Sequence, residues 1–357
     1  MEQINKAGYT TEVPEDRLSL VGLLDEIGSG RIIFIGDVDS GKTTTVSYVA
    51  NSLLSMGYRV AVVDSDVGQK SILPPATVSL GILDGPVAHI GEAVPVAHYF
   101  IGTTTPSQYI GETVVGVKRL ADIGSKMADF VLIDTTGFVS GPGLELKRMK
   151  VELLRPELVV FIGEGEDLRR LESSIGSLAR VFHAEKSRLV RPYSHEERKI
   201  IRAAKWRAYF SGSRMVEVDL NEFPVSGTAM FAGRPLLQEE IELIGKLHEW
   251  VVFTGWKNRE GYVVVKAESG RPKSYNWSVI KAIDIEKLSN LLVGFIDGEG
   301  LCLGLGIIKW PKLSSGKLEI LTPLTDEELA RAREIRLGRI RVTEEGEELE
   351  LLRREEL

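Results

Sequence analysis

The eight residues from Gly36 to Thr43 have the types and the spacing that can bind phosphate groups. They read Gly-Asp-Val-Asp-Ser-Gly-Lys-Thr and fill the pattern G-x-x-x-x-G-K-[ST] completely. In this pattern the glycines let backbone N–H groups converge on phosphate oxygens, Lys42 reaches the terminal phosphates, and the Thr43 hydroxyl ligates Mg²⁺. The residues expected to contact the nucleotide are Gly36, Asp37, Val38, Asp39, Ser40, Gly41, Lys42, Thr43 and Thr44.

The segments on either side of this phosphate loop (36–43) fit that chemistry. Arg31–Ile35 is a short β-branched and aromatic run typical of a buried parallel strand. Thr43–Met56 is predicted to form a helix that Gly57 stops. A strand, a glycine-rich loop and a helix N-terminus direct their N–H groups to one point, so we interpret the motif as a nucleotide phosphate site.

A pair of carboxylates follows the next predicted strand, Tyr58–Val63. Asp64 and Asp66 are two residues apart on an extended segment, so their side chains can emerge on the same side. A carboxylate there can hold Mg²⁺ through water or accept a proton from an attacking hydroxyl, and either aspartate could instead cap the loop. Gln69 adds an amide that can bridge the substrate and the metal shell.

The third predicted strand, Phe130–Ile133, ends in Asp134-Thr-Thr-Gly137. This D-x-x-G pattern is similar to the γ-phosphate sensor of P-loop GTPases, in which the glycine N–H contacts the phosphate. A GTPase also needs an N/T-K-x-D segment at a later strand end, and none follows the fourth predicted strand, Leu158–Ile162, or fits elsewhere. The sequence therefore does not support recognition of guanine.

A basic segment lies at 186–207, where eight Lys or Arg residues occur with two Glu. Ser194-His-Glu-Glu197 is a capping box, which predicts a helix from His195. On that helix Arg198, Arg202 and Lys205 share one face. This face could form a lid that clamps the transferring phosphoryl group as an arginine finger does, or it could be a solvated surface helix.

The composition limits the class of protein. The chain has 357 residues, 43% hydrophobic and 27% charged, a net charge of −7 and one cysteine, Cys302. The single cysteine excludes an internal disulfide and a cysteine-based zinc cluster. The negative net charge argues against a surface that binds nucleic acid throughout. Without an apolar run of about 18 residues or an apolar leader, we expect no membrane association and a cytoplasmic protein, or a nuclear one if the source is eukaryotic. Abundant Glu, Lys and Arg with scarce Asn and Gln hint at a thermophilic source.

The order of predicted elements indicates an α/β fold. Strands that alternate with helices predict a P-loop NTPase with a mostly parallel central sheet flanked by helices, with ligands at the carboxyl ends of the strands. Short β-like runs after about Ser211 predict a smaller β-rich C-terminal domain. Residues 344–357 are expected to be a solvated strand or a frayed end. The predicted domains are a lead-in at 1–30, a P-loop kinase domain with its lid at 31–212, and the β-rich domain at 213–357.

Several of these segments together resemble one family. This is the family of polynucleotide 5′-hydroxyl kinases, which includes the kinase subunit of the messenger-RNA 3′-end cleavage factor and the nucleolar pre-ribosomal-RNA kinase. The resemblance covers roughly residues 30–212. In order along the chain, the matching segments are the phosphate loop, Asp64-Ser-Asp-Val-Gly-Gln69, Phe100-Ile-Gly-Thr-Thr-Thr-Pro106, Thr135-Thr-Gly-Phe138, and Arg198-x-x-x-Arg202 followed by Tyr209-Phe210.

The resemblance implies a reaction. ATP, with Mg²⁺, is expected to give its γ-phosphate to the 5′-hydroxyl end of RNA, with DNA as an alternative acceptor, in RNA processing and in some relatives within a larger complex. The residues implied to be catalytic are Lys42, Asp66, Arg198 and Arg202, with Asp66 taking the proton of the 5′-hydroxyl and the two arginines forming the lid.

The resemblance also implies a clasp for the acceptor, the T-x-G-aromatic segment from Thr135 to Phe138, whose ring stacks on the first base. The expected metal ligands are Thr43 and Asp64. The residues expected to contact the nucleic acid are Gln69, Thr104, Thr105, Thr135, Gly137 and Phe138.

Two other functions stay open at this stage. The first is a P-loop GTPase of the metallochaperone or targeting type, which Asp134-x-x-Gly137 favours and the missing guanine motif opposes. The second is an ATP-binding scaffold of an RNA-processing complex without turnover. Intact Lys42 and Asp66 and the paired arginines argue against the scaffold.

Overall fold

The computed structural model describes residues 13–220, 222–268 and 279–357. The chain divides into two compact units between Trp206 and Arg207. The predicted domain boundaries at 30/31 and 212/213 stay predictions. Residues 1–12 of the predicted lead-in, and Asn221 and residues 269–278 of the predicted C-terminal domain, lie outside the described residues.

The first unit alternates helices and strands along its described residues, 13–206. Its last helix continues to Phe210. The elements, in chain order, are α1 (Glu15–Ile27), β1 (Gly30–Gly36), α2 (Lys42–Ser55), β2 (Val60–Ser65), β3 (Thr77–Leu83), β4 (Val94–Phe100), α3 (Ile110–Gly124), β5 (Phe130–Thr135), α4 (Pro142–Leu154), β6 (Leu158–Ile162), α5 (Glu166–Ile175), β7 (Arg180–Ala184) and α6 (His195–Phe210).

These strands form one sheet in the order β4-β3-β2-β5-β1-β6-β7. The neighbouring pairs β2–β5, β5–β1, β1–β6 and β6–β7 are parallel. At one edge of the sheet, β3 is antiparallel to β2 and β4 is antiparallel to β3. The fold is therefore the predicted α/β P-loop architecture with a mostly parallel central sheet. Because β1, β2 and β5 are neighbours and parallel, their carboxyl ends, which carry the predicted motifs, lie side by side.

The central strands form because they are continuous apolar runs buried on both faces. Side chains of β1, β2, β5 and β6 are almost all fully buried, and α2 packs its apolar face against them. The four strands predicted from the sequence correspond to these four. The strands β3, β4 and β7 were not predicted; β4 carries Pro95 and exposed valines at the sheet edge, a pattern that does not stand out from a loop.

The second unit is rich in β-structure, as predicted. The elements of its described residues are β8 (Arg214–Asp219), β9 (Val225–Ser226), β10 (Arg234–Pro235), α7 (Gln238–His248), β11 (Val252–Lys257), β12 (Tyr262–Lys266), β13 (Ile280–Asp284), β14 (Leu291–Ile296), β15 (Cys302–Lys312), β16 (Lys317–Thr322), α8 (Asp326–Arg331), β17 (Glu334–Val342) and β18 (Glu348–Leu351). They form one sheet of strands in the order β10-β11-β12-β13 and another in the order β18-β17-β14-β15-β16-β8, with β9 paired to β17.

The end of the chain contains the expected solvated strand, because β18 is mostly exposed, but it is not frayed. Strand β18 pairs with β17, and Leu352 and Leu357 are buried in the apolar core of the second unit. Apolar burial of two leucines outweighs the high charge of the surrounding residues. Among the described residues, no helix has the length and apolar character needed to cross a membrane.

We expect Phe34→Ala to destabilise the first unit by about 3–5 kcal/mol, because the ring lies at the centre of β1 and its loss leaves a cavity. Denaturant unfolding followed by circular dichroism measures this change. The matched control is Val115→Ala in α3, where the side chain is 44% exposed. Equal midpoints for the two variants would contradict the assignment of β1 to the core.

Candidate functional site

The phosphate loop joins β1 to α2 and forms the floor of a cleft in the first unit of about 720 Å³. Gly41 has φ +86°, which favours glycine, and a Cβ on Gly36 would lie 2.6 Å from the Ile162 carbonyl oxygen. Lys42 Nζ donates to the Asp37 carbonyl oxygen at 2.6 Å, and burial lowers the pKa of Lys42. The loop thus has the closed backbone curve that a nucleotide phosphate requires.

Thr43 and Asp134 form the pair that fits a metal ion. Thr43 Oγ1 donates to Asp134 Oδ2 at 2.7 Å, while Asp134 Oδ1 is buried without a hydrogen-bond partner among the described residues. Burial and the Asp64 carboxylate raise the pKa of Asp134 to about 7. An orphaned carboxylate oxygen next to a threonine hydroxyl suits Mg²⁺, which usually takes one or two carboxylates and keeps several waters. No group of three or more His, Cys, Asp or Glu side chains that could hold a metal occurs in the described residues.

Asp64 and Asp66, which the sequence suggested could point the same way, have different surroundings. Asp64 is fully buried, lies 3.1 Å from Lys70 Nζ, and accepts backbone N–H bonds from Ser71 and Ile72 at 2.6 and 2.8 Å. Asp66 lies at the edge of the cleft, and its Oδ1 accepts the N–H groups of Gly68 and Gln69, both at 2.9 Å. The buried aspartate therefore folds the turn, and the other faces the cleft.

The predicted acceptor contacts are only partly brought together at the cleft. Gln69 and Gly137 line it; Thr104, Thr105, Thr135 and Phe138 are not among the described residues that do. Thr135 is buried and donates its hydroxyl to the Phe34 carbonyl oxygen at 2.7 Å, which fixes the start of the clasp turn (Thr135–Phe138).

The clasp turn and the Asp66 turn each have a glycine that lies close to the backbone of a neighbouring segment. A Cβ on Gly137 would lie 2.6 Å from the Val38 backbone, so the clasp turn and the phosphate loop approach each other as closely as glycine allows. A Cβ on Gly68 would lie 3.1 Å from the Thr104 carbonyl oxygen, which puts the 103–105 segment beside the Asp66 turn.

The predicted lid helix begins at His195, as the capping box indicates. Arg198 lines the cleft and pairs with Asp39 of the phosphate loop, and its Nε donates to the Tyr193 carbonyl oxygen at 3.2 Å. Lys205, on the same face, also lines the cleft, whereas Arg202 is not among the described residues that do.

Several charged residues at the site were not predicted. Lys70, Lys147 and Lys150 are almost fully buried, and Asp134 was considered only as part of a D-x-x-G pattern. The signal for the two lysines of α4 was their spacing of three residues in the helix that follows the clasp turn, because such a pair shares one helix face. Tertiary packing determines that the helix face with Lys147 and Lys150 is the buried one, and the local sequence does not show this.

Comparisons with known proteins agree with this geometry. Residues 36–212 match the family described as "mRNA cleavage and polyadenylation factor CLP1 P-loop". The structure of the wild-type Clp1p–Pcf11p complex contains a chain that resembles this one with a TM-score of 0.59 at 13% identity, covering 91% of this chain and 78% of that chain. At that identity the likeness shows the fold.

Three relatives match over nearly the whole chain. Proteins named polyribonucleotide 5′-hydroxyl-kinase are 52% identical in Thermococcus kodakarensis, covering 99% of this chain and 100% of that protein, and 41% identical in Methanocaldococcus jannaschii, covering 99% of each. The protein of the same name in Pyrococcus horikoshii is 45% identical, covering 99% of this chain and 97% of that protein. The phosphate loop, the cleft and these full-length matches show that the chain belongs to the polyribonucleotide 5′-hydroxyl-kinase family with a CLP1-type P-loop.

Proposed function

We propose that this protein is an ATP-dependent kinase that transfers the γ-phosphate to the 5′-hydroxyl end of RNA, with DNA as a second acceptor to be tested. The observation that carries the proposal is that Lys42, Asp66, Gly137 and Arg198 line one cleft. Phosphate-binding, proton-accepting and acceptor-side groups are thus within reach of one reacting phosphoryl group. An RNA-processing role, a partner complex and a cytoplasmic location stay predictions.

The nucleotide side of the reaction is assigned to the phosphate loop and the residues beside it. The backbone N–H groups of the loop and Lys42 would hold the phosphates, and Thr43 with Asp134 would hold Mg²⁺. Bound Mg²⁺ would neutralise charge on the phosphate oxygens. Asp64, predicted as a metal ligand, has its oxygens engaged by Lys70 and backbone N–H groups, which favours Asp134 for the metal side.

On the acceptor side, Asp66 is the proposed proton acceptor, because it lines the cleft, whereas Asp64 does not and Asp39 is paired with Arg198. The clasp turn and Gln69, with Thr104 and Thr105 behind the Asp66 turn, orient the 5′ end of the nucleic acid. Arg198 and Arg202 supply positive charge to the transferring group, for which Arg198 must exchange Asp39 for the phosphoryl oxygens. Phosphoryl transfer depends mainly on such positioning and charge stabilisation.

The direct test is end-labelling of 5′-hydroxyl RNA and DNA oligonucleotides with γ-labelled ATP or GTP, alongside hydrolysis without acceptor. We expect label on RNA from ATP, and its loss in Lys42→Ala, because this substitution removes the ammonium group that is proposed to hold the terminal phosphates. The control is Lys118→Ala on α3, which pairs with Asp122. Hydrolysis of GTP without transfer would favour the GTPase, and ATP binding without turnover would favour the scaffold.

Asp66→Asn is expected to lower kcat roughly 10²–10⁴-fold and to leave the Kd for ATP nearly unchanged, because the amide keeps the shape and loses the proton acceptor. Asp64→Asn should instead destabilise the fold by about 3–5 kcal/mol, because it removes one partner of a buried ion pair. Single-turnover kinetics, ATP titration and thermal melting separate the two effects. If Asp66→Asn weakens ATP binding as much as turnover, the proton-acceptor role is wrong.

Gly137→Ala should impair transfer strongly, since the added methyl group would meet the Val38 backbone and displace the phosphate loop or the clasp turn. The matched control is Gly111→Ala in α3, where a Cβ meets nothing within 4 Å. We expect Gly111→Ala to keep full activity and to be slightly more stable, since alanine favours a helix by about 1 kcal/mol over glycine. Equal activities in the end-labelling assay would contradict the close approach of the two loops.

A further inference from the structure

Two lysines on α4 lie in the interior of the first unit. Lys147 and Lys150 are each 0% exposed, and their spacing of three residues puts them on the same face of the helix. Lysine is almost never fully buried unless it is paired with an opposite charge. These two side chains therefore need an explanation beyond the packing of an α/β domain.

Neither lysine has a carboxylate partner within ion-pair distance among the described residues. Lys147 Nζ donates to the Thr136 carbonyl oxygen at 2.6 Å, and Lys150 Nζ donates to Ser65 Oγ at 2.8 Å, so both acceptors are uncharged. Burial lowers the pKa of Lys147 well below its usual value and that of Lys150 to about 7. An apolar side chain of similar volume would fill either position without this cost of desolvation.

The acceptor of Lys147 lies at the centre of the clasp turn. The Thr136–Gly137 peptide bond is trans and planar, so its C=O and N–H groups point in opposite directions. Lys147 holds the carbonyl towards the interior, and this orients the Gly137 N–H away from α4. Thr136 and Gly137 both line the cleft, whereas Lys147 is not among the described residues that do.

The close approach of Gly137 to Val38 links the orientation of the Thr136–Gly137 peptide to the phosphate site. Because a Cβ on Gly137 would meet the Val38 backbone, the Thr136–Gly137 peptide lies next to the phosphate loop, where the terminal phosphate is expected. A backbone donor aimed at the place where charge develops stabilises a transition state most when it is fixed in advance. A glycine peptide without a side-chain restraint would not be fixed in that way.

We propose that Lys147 is a positioning residue for phosphoryl transfer: by binding the Thr136 carbonyl it fixes the Gly137 N–H as a donor to the transferring phosphoryl group. The proposal rests on the proposed kinase function. Lys147 touches neither nucleotide nor acceptor; it acts through the clasp peptide. Lys150 supports the same region, since its acceptor Ser65 donates to the Asp134 carbonyl oxygen at 2.7 Å on the strand that enters the clasp turn.

The test replaces Lys147 by Met, which keeps the volume and removes the donor, and by Gln, which keeps a donor without charge. We expect Lys147→Met to lower kcat about 10–100-fold, somewhat less than the loss of a complete oxyanion donor. The Kd for ATP should stay within about threefold, and Tm should be unchanged or higher because a buried charge is removed. Lys147→Gln should recover part of kcat.

The matched control is Arg148→Met, on the exposed side of the same helix, where the guanidinium pairs with Glu145 and Glu152. An unchanged kcat in Lys147→Met overturns the proposal. A fall of Tm, ATP affinity and kcat together in Lys147→Met and Lys147→Gln also overturns it, because that pattern indicates a purely structural lysine. If Lys147→Met does not fold, the kcat and Tm of Lys147→Gln decide in the same way. Absence of transfer by the unmodified protein would instead overturn the kinase function itself.

Discussion

Side-chain hydroxyls tie the carboxyl ends of the three central strands to one another. Thr135 on β5 donates to the Phe34 carbonyl of β1, and Ser65 on β2 donates to the Asp134 carbonyl of β5, both at 2.7 Å. Each hydroxyl donates to a backbone carbonyl oxygen of the neighbouring strand, which links these strands close to the loops of the site. The phosphate loop, the Asp66 turn and the clasp turn each start from one of these ends, so their mutual distances depend on the two bonds.

Burial of charge is the second condition for this arrangement. Asp64 and Lys70 form an ion pair that is almost completely inside the protein, and neither Asp134 nor Lys150, both buried, forms an ion pair with another of the described residues. In a low dielectric medium these groups act more strongly on one another and on a bound phosphate than they would in water. The interior of the first unit thus gives up packing stability in exchange for a fixed electrostatic environment.

The sequence predicted the parts of the fold whose local pattern has one physical meaning. Buried parallel strands appear as apolar runs, the phosphate loop needs its glycines, and the capping box before His195 defines a helix start. Local patterns could not reveal which of Asp64 and Asp66 faces the cleft, because that depends on Lys70 and on the path of the following turn. The buried lysines of α4 escaped prediction since lysine on an amphipathic helix normally marks the solvent face.

The backbone contact between Gly137 and Val38 limits how the specificity of this enzyme can be engineered. With no room for a methyl group between them, neither loop can be reshaped at this point without moving the other. Libraries of variants that aim at new acceptors should therefore keep Gly137 and Val38 unchanged and vary Phe138 or the 103–105 segment. Variation in nucleotide choice is better sought away from this contact, among other residues that line the cleft, such as Leu189 and Tyr193.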